Sequence, residues 1–499
     1  MEIKMIKDLL IQRKDSDRIA IESVDQSITY REWYQASKHL SYIIRELCEE
    51  GTQNVIVCLP NSIDYAVAYF GVLFSGNVIV PIAPEATVTE MQRLVEYCEA
   101  KLIISNSCYI DRFSEMYCHK KLTGISIEEA YSEDSDDLTE IPLNGEENDL
   151  CIMLHTSGTT SNPKRVMLSN KNLLVNIKAH TSVMMLDEND VSLITLPMFF
   201  GYCNTSQFLS HLYVGGKIVI SHAVFHPAVF WSTVCKYGIT NVTVVPSMLM
   251  NIYKAGRSAL PKNQTHTLRY ICYGGGRSNP EVIEKLIRAF PEVGFVHTYG
   301  QTECSPRVTA LMPQDAIRKS GSVGTPLPGV EIAIFSPNGE KLDADLSGEI
   351  CVKGDNVMLG YYKNPNLTEE TIRNGWLHTG DEGYIDKDGF LYLCGRLKSM
   401  IIYNGINLYP EEIEEILVAA DMIEDAIVYG VENNICGEVP VADIVVNANY
   451  NEQKLREYCS KHLSKYKIPK LFRCVEKIEK TYNKKNKRYR TKLNEKAGE

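Results

Sequence analysis

The chain has 499 residues, is 44% apolar and 23% charged, and carries a formal net charge of −11. That length exceeds what one hydrophobic core serves, so two or more domains are expected. The acidic balance argues against general nucleic-acid binding, and no apolar run approaches the ~20 residues of a membrane span.

The opening MEIKMIKDLLIQRKDSDR lacks the apolar core and small-residue cleavage site of a secretory signal. ITYREWYQASKHLSYIIREL has helical apolar spacing. NVIVCLP and NVIVPIAP read as buried strands, and NSIDYAVAYFGVLFSG between them reads as an apolar helix ending at Gly76. Strand, helix and strand at this spacing predict a parallel βαβ unit. From Glu128 to Asp149 the chain turns acidic and loses periodicity, which predicts an exposed connection. A strand is expected over Cys151–Leu154 and a helix capped by Ser169. VSLITLP, GGKIVI and NVTVVP follow as further buried strands, so the architecture is doubly wound α/β. From about Gly321, alternating residues and Asn-Gly and Ser-Gly turns predict a β-rich subdomain of hairpins. YPEEIEEILVA has the proline and acids of a helix start. We expect two domains, 1–395 and 396–499, the second a small α+β unit.

The stretch 154–170, LHTSGTTSNPKRVMLSN, concentrates chemistry. Its frame is not the Walker loop G-x-x-x-x-G-K-[ST], because Pro163 stands at the second glycine and Arg165 at the hydroxyl. Proline offers no N–H to a phosphate. The ingredients still suit the terminal phosphates of a nucleotide: hydroxyls at Thr156, Ser157, Thr159 and Thr160, a flexible Gly158, and the cation of Lys164. The fifteen cysteines are dispersed with no C-x-x-C pair, as in a reduced, cytoplasmic protein. Residues 453–499 hold sixteen Lys/Arg against five Asp/Glu, leaving the rest near −22. A basic segment on an acidic body suits an anionic partner.

TSGTTSNPK (156–164), YGQTE (299–303), GSVGTPLPG (321–329), WLHTGD (376–381) and GRLKSMIIYNGINLYPEEIE (395–414) occur in this order. Each resembles a signature of the adenylate-forming superfamily of acyl- and aryl-CoA synthetases, peptide-synthetase adenylation domains and luciferases. GVLFSGNVIVPIAP (71–84) and CYGGGRSNPEVI (272–283) also have counterparts there, so the resemblance covers nearly the whole chain. It implies an ATP- and Mg²⁺-dependent ligase. A carboxylate attacks the α-phosphate to give an acyl adenylate and pyrophosphate, and a thiol of CoA or of a carrier protein's phosphopantetheine then takes the acyl group. By the same resemblance, the 156–164 loop handles pyrophosphate. Tyr299 and Gly300 stand at the adenine, with the Gly274, Gly275 and Gly276 backbone close by. Thr302 is the α-phosphate donor, Glu303 the Mg²⁺ ligand, and Asp381 the ribose acceptor with Arg396 nearby. Lys398 matches the hinge about which the small domain turns between half-reactions.

Several positions depart from the family pattern. Ser161 and Arg165 replace glycines, and Ile402 replaces a lysine or arginine before Gly405. Phe200 stands where many acyl-CoA synthetases have histidine. Phe199, Phe200, Tyr202, Asn204 and Cys272 are the expected walls of the acid pocket. The C-terminal lysine motif is blurred in EKTYNKKNKRYRTKL. Counting back from Arg490 and Leu493 selects Lys487 as catalytic, whereas counting on from Thr481 selects Lys485. Asn486 before Lys487 tolerates φ > 0 and favours it. The expected substrate is a small carboxylic acid, and the basic C-terminal region suits an acidic acyl carrier protein as partner. The alternative is a degenerate member of the fold that binds nucleotide or carrier without turnover.

Overall fold

The structure, a computed structural model, describes residues 2–48, 51–86, 88–112, 122–131, 141, 145–155, 164–221, 225–262, 265–276, 278–399, 401–403, 406–408, 410–433, 437–463 and 467–478. The predicted βαβ unit is present. Strands Asn54–Val57 and Val78–Pro81 pair in parallel, joined by the helix Ile63–Phe74. They lie within a seven-stranded sheet. The helix Tyr30–Leu47 opens with a capping box: Thr29 Oγ1 accepts from Glu32 N at 3.2 Å, and Glu32 Oε2 accepts from Thr29 N at 2.8 Å. Its buried face packs on Ile63–Phe74, with Trp33 edge-on to Phe70 at 5.2 Å.

The segment after the hydroxyl-rich loop differs from the expectation. A strand, Arg165–Ser169, precedes the helix Asn170–Met184 and pairs antiparallel with Leu150–His155. Residues 156–163, which join these two strands in the sequence, lie outside the described residues. Val166 and Leu168 are buried beside a buried Arg165, too few apolar positions for the alternation to stand out in the sequence. Ser169 does cap the helix, accepting from Asn172 N at 3.1 Å.

The largest sheet places the site. Strands Ile19–Glu22, Lys217–Ile220, Val191–Ile194, Asn241–Val244, Tyr270–Gly274 and Gly294–Gly300 run parallel. At Gly294–Gly300 the direction of pairing changes. Arg307–Leu311, Ser322–Pro326, Leu391–Arg396, Trp376–Ile385, Gly348–Lys353 and Glu331–Phe335 continue the same sheet antiparallel. The hairpins expected as a separate subdomain are thus continuous with the parallel strands. Parallel strands of open α/β sheets present ligands at their C-terminal ends, and here those ends include Gly274 and Gly300. A third sheet of five strands begins at Ile401–Tyr403 and carries helices Pro410–Ala419 and Glu452–His462. Its own core joins Leu408, Ile413, Leu417, Val428, Ile444, Leu455 and Phe472.

Candidate active site

Four distant stretches meet at the end of Gly294–Gly300. Gly300 is required there, because a Cβ would lie 1.7 Å from Pro306 O. The chain then turns through Thr302–Cys304, with Ser305 at φ 68°. This brings Glu303 to Tyr361, whose Oη donates to Oε1 at 2.8 Å. Burial first, then the Glu303 charge, holds the Tyr361 phenol far above its ordinary pKa, so it stays a donor. Lys164 Nζ lies 5.6 Å from the centroid of the same ring. Tyr361 therefore ties the loop lysine to the acid of YGQTE. Glu303 Oε2 makes no hydrogen bond among the described residues, which leaves a hard oxygen of the kind Mg²⁺ takes.

Asp381 is the second meeting point. Its Oδ1 accepts from Arg396 Nε at 2.9 Å, and its Oδ2 accepts from Tyr299 Oη at 2.9 Å and Gln301 Nε2 at 2.7 Å. Gln301 Nε2 also reaches Thr379 O at 2.9 Å. A carboxylate offers about four acceptor sites, and protein donors use three of them. Tyr299 is only 8% exposed, so little of its ring is open to a base. Gly275, at φ +77°, has open space where a side chain would stand. Its neighbour Gly274 is closely packed: a Cβ there would be 2.4 Å from Thr298 O and 3.1 Å from Tyr202 Oη.

The acid end adjoins the nucleotide end through Gly201. A Cβ built on Gly201 would stand 3.2 Å from Leu154 Cδ1 and 3.8 Å from Thr302 Oγ1. Thr302 thus lies between the loop strand and the segment Phe199–Asn204. Phe199 and Phe200 pack edge to face at 4.7 Å. Tyr202 Oη pairs with Thr298 Oγ1 at 2.7 Å, which turns its oxygen to the strand and leaves its ring to line the interior. Asn204 starts a π-helical turn, Asn204–Leu209, and accepts from Tyr69 Oη at 3.4 Å. Such turns recur at functional sites. Cys272 is buried, which raises its thiol pKa and keeps it neutral.

Three residues of this region were not singled out from the sequence. Tyr361 lies within MLGYY, and Gln301 inside YGQTE was passed over. Arg307 is the third, a guanidinium in the otherwise uncharged strand RVTAL that is 1% exposed. Its Cζ lies 5.5 Å from the Tyr202 ring centroid. A charged residue opening a buried strand was the available signal. Arg165 turns inward, donating from Nη1 to Pro81 O at 3.2 Å.

Other expected residues are not placed. Thr156, Ser157, Gly158, Thr159, Thr160, Lys485 and Lys487 lie outside the described residues. Lys398 has its backbone in the turn Leu397–Ser399, between the large sheet and the small one, and its side chain lies outside the described residues.

The profile of the family described as AMP-binding enzyme matches residues 11–362, and that of the AMP-binding enzyme C-terminal domain matches 412–485. The 2-succinylbenzoate–CoA ligase of Bacillus licheniformis is 30% identical over 477 residues, covering 96% of both chains. The 4-coumarate–CoA ligase of Vanilla planifolia is 30% identical over 471 residues, covering 89% of this chain and 84% of its own. Among solved structures, o-succinylbenzoate CoA synthetase of Bacillus subtilis with its acyl-adenylate intermediate superposes with a TM-score of 0.87 at 27% identity, covering 96% of each chain. The same synthetase with ATP and magnesium ion gives 0.87 at 27% identity over 96% of this chain and 98% of that one. Among the described residues, no helix is long and apolar enough to cross a membrane. The chain belongs to the AMP-binding enzyme family of adenylate-forming ligases.

Proposed function

We propose that this cleft carries out the two half-reactions of an acid–thiol ligase with the residues just described. In the first, a carboxylate oxygen bonds to the α-phosphorus of ATP and pyrophosphate leaves. In the second, a thiol sulfur bonds to the acyl carbon and AMP leaves. The observation that carries the reading is convergence: Lys164, Tyr361 and Glu303 form one linked group, and Tyr299, Gln301 and Arg396 grip Asp381 beside it.

The first step brings two anions together and expels a third, so cations and donors must already stand where charge builds. Lys164 supplies a fixed cation next to the 156–163 loop. Thr302, between the loop strand and the acid segment, is placed to donate to the phosphate under attack. Asp381 accepts the ribose hydroxyls by sharing its remaining capacity or releasing one protein donor. Gly275 leaves its backbone open to a planar base. Mg²⁺ bound with the nucleotide supplies further neutralisation of the phosphates, and Glu303 offers it an oxygen. Tyr361 orients that carboxylate.

The relatives' names support CoA as the thiol. A carrier protein finds its support in the basic segment 453–499 alone, and 479–499 lie outside the described residues. We assign the domain boundary to 395/396, one residue before the last strand of the large sheet ends at Arg396 and the Leu397–Ser399 turn begins. A cytoplasmic setting agrees with the free cysteines among the described residues.

The test is pyrophosphate release from ATP and Mg²⁺ with a panel of carboxylic acids, followed by CoA-dependent AMP release. Pyrophosphate release with at least one acid, followed by thioester formation, supports the reading. Nucleotide binding without release for any acid would point instead to a non-catalytic member of the fold.

A further inference from the structure

We propose that the acid activated here carries a second carboxylate, and that Arg307 receives it. This rests on the ligase reading above and names its substrate class.

The guanidinium of Arg307 is enclosed, and none of its three nitrogens has an oxygen or nitrogen acceptor; only the weakly accepting, neutral thiol of Cys272 stands against it. No carboxylate lies within ion-pair distance of it among the described residues. An arginine cannot shed its charge at any working pH. A buried, unpaired cation is strongly unfavourable, so the folded chain gains nothing in stability by holding it there. Arg165 is the contrast: equally buried, it donates to the Pro81 carbonyl.

The position is held rather than accidental. Asn176 clasps the Arg307 backbone from both sides, with Nδ2 donating to Arg307 O at 2.6 Å and Oδ1 accepting from Arg307 N at 3.3 Å. The strand starts four residues past Glu303 and pairs with Gly294–Gly300. The guanidinium is thereby fixed against Tyr202 and Cys272, two of the expected walls of the acid pocket.

Its neighbours do not neutralise it. Tyr202 faces it with the ring, its oxygen being committed to Thr298. His180 is buried near the same charge, and burial first, then Arg307, keeps its imidazole neutral. His180 Nε2 pairs with the carbonyl of Ser206 at 3.1 Å, so its proton points there. What the pocket lacks is a planar anion able to take two parallel N–H bonds, and a carboxylate fits that fork. The substrate then spans the site with one carboxylate at Thr302, where it reacts, and the other at Arg307.

A site built around an unpaired buried donor rejects ligands that leave it unpaired. The experiment uses the full chain with matched acids, aliphatic and aryl, each as the monocarboxylate and as the same skeleton ending in a second carboxyl. Pyrophosphate release and thermal shift with the acid alone are both read. At least one diacid should exceed its monoacid by on the order of 100-fold in kcat/KM. Arg307→Met should erase that preference, and Arg307→Lys should restore part of it. The ligand-free Arg307→Met protein should melt at a higher temperature than the parent, a shift that a merely structural arginine would not give.

Monoacids turned over as well as their diacids, or a diacid preference surviving in Arg307→Met, would overturn the inference and leave the ligase reading intact. A thermal shift by chloride equal to that by every diacid would also overturn it, marking an inorganic-anion site. Should no acid release pyrophosphate, the ligase reading fails, and the diacid-specific thermal shift, present in the parent and lost in Arg307→Met, still decides the inference.

Discussion

Arg396 faces Asp381 directly across an antiparallel pair, with Nε 2.9 Å from Oδ1. Arg396 is the last residue of the large sheet before the turn that leads to the small one. Its pKa is raised, first by Asp381 and then, against burial, by Tyr299, Glu303 and Glu411. Glu411 belongs to the first helix of the small unit, so the ion pair feels both parts of the protein.

The two partners should not be equally important. Asp381→Asn removes the charge that Arg396, Tyr299 and Gln301 all address. Hydrogen bonds to a charged group are worth about 1.5–3 kcal/mol, so KM for ATP should rise roughly 10- to 100-fold. Arg396 is 52% exposed, which screens its pairing. Arg396→Ala should raise KM for ATP by less than tenfold, because Tyr299 and Gln301 still hold the carboxylate. ATP-dependent pyrophosphate release, titrated in ATP for both variants, checks the order.

Tyr361→Phe keeps the ring under Lys164 and removes the donor to Glu303. The expected result is an increase of about tenfold in the Mg²⁺ concentration for half-maximal rate, matching a lost charge-assisted bond. The rate at saturating Mg²⁺ should change little. An equal fall at all Mg²⁺ concentrations would place Tyr361 elsewhere in the reaction.

Much of this site was legible because its motifs are local. YGQTE and WLHTGD each bring polar residues to one strand end, where chemistry is expected. Their pairing was not legible: nothing in the spacing says that Gln301 and Tyr299 hydrogen-bond Asp381. Tyr361 stayed hidden because two adjacent tyrosines in the apolar stretch MLGYY read as core. The hairpin strand Arg165–Ser169 stayed hidden for a related reason, since its first residue is a buried arginine. The hairpins after Gly321 were readable from their turns, but their continuity with the parallel sheet depends on Arg307–Leu311 pairing backwards on Gly294–Gly300. That is a tertiary choice.

Gly274 and Gly275 look alike in sequence and should behave oppositely. At Gly274 an added methyl meets the Thr298 carbonyl at 2.4 Å, a backbone atom that cannot move aside. Gly274→Ala should lose several kcal/mol, as overpacking in a core does, about 1–3 or more. At Gly275 space is open but φ is +77°, so Gly275→Ala should cost only about 1–2 kcal/mol. If the base lies over this backbone, Gly275→Ala should still raise KM for ATP. Urea unfolding and nucleotide titration of the two variants separate the effects.

Buried histidines give the fold a dependence on pH. Burial lowers the pKa of His297 to about 4, only partly offset by its bond to Ser322 O at 2.8 Å. Its ring stacks on Tyr273 at 4.5 Å. The unfolded chain then takes up protons near pH 6.5 while the folded one does so near 4. Stability is full above about 6.5 and falls as pH drops through that window. His297 alone should account for roughly 2–3 kcal/mol lost by pH 4.5. His155, His180 and His211 shift in the same direction, each chiefly through burial, and steepen the fall. Urea unfolding between pH 7 and 4.5 should show the slope, and His297→Gln should reduce it. A slope unaltered by that change would assign the proton uptake to the other three.

The C-terminal lysine can be settled by separating the half-reactions. Lys487 keeps the spacing to Arg490 and Leu493, and Asn486 before it tolerates φ > 0. Lys485 keeps only the spacing to Thr481. In the role that the family resemblance implies, this lysine bridges the carboxylate and the α-phosphate; such a contact acts where charge develops, and losing it costs about 10²–10³ in rate. Lys487→Ala should therefore slow pyrophosphate release by that factor. It should leave transfer from a supplied acyl adenylate to CoA within a few-fold of the parent, because the α-phosphate bond is by then already made. Lys485→Ala should leave both halves near the parent rate. The reverse pattern would move the assignment to Lys485 and show that the threonine, not the arginine, fixes the register of this segment.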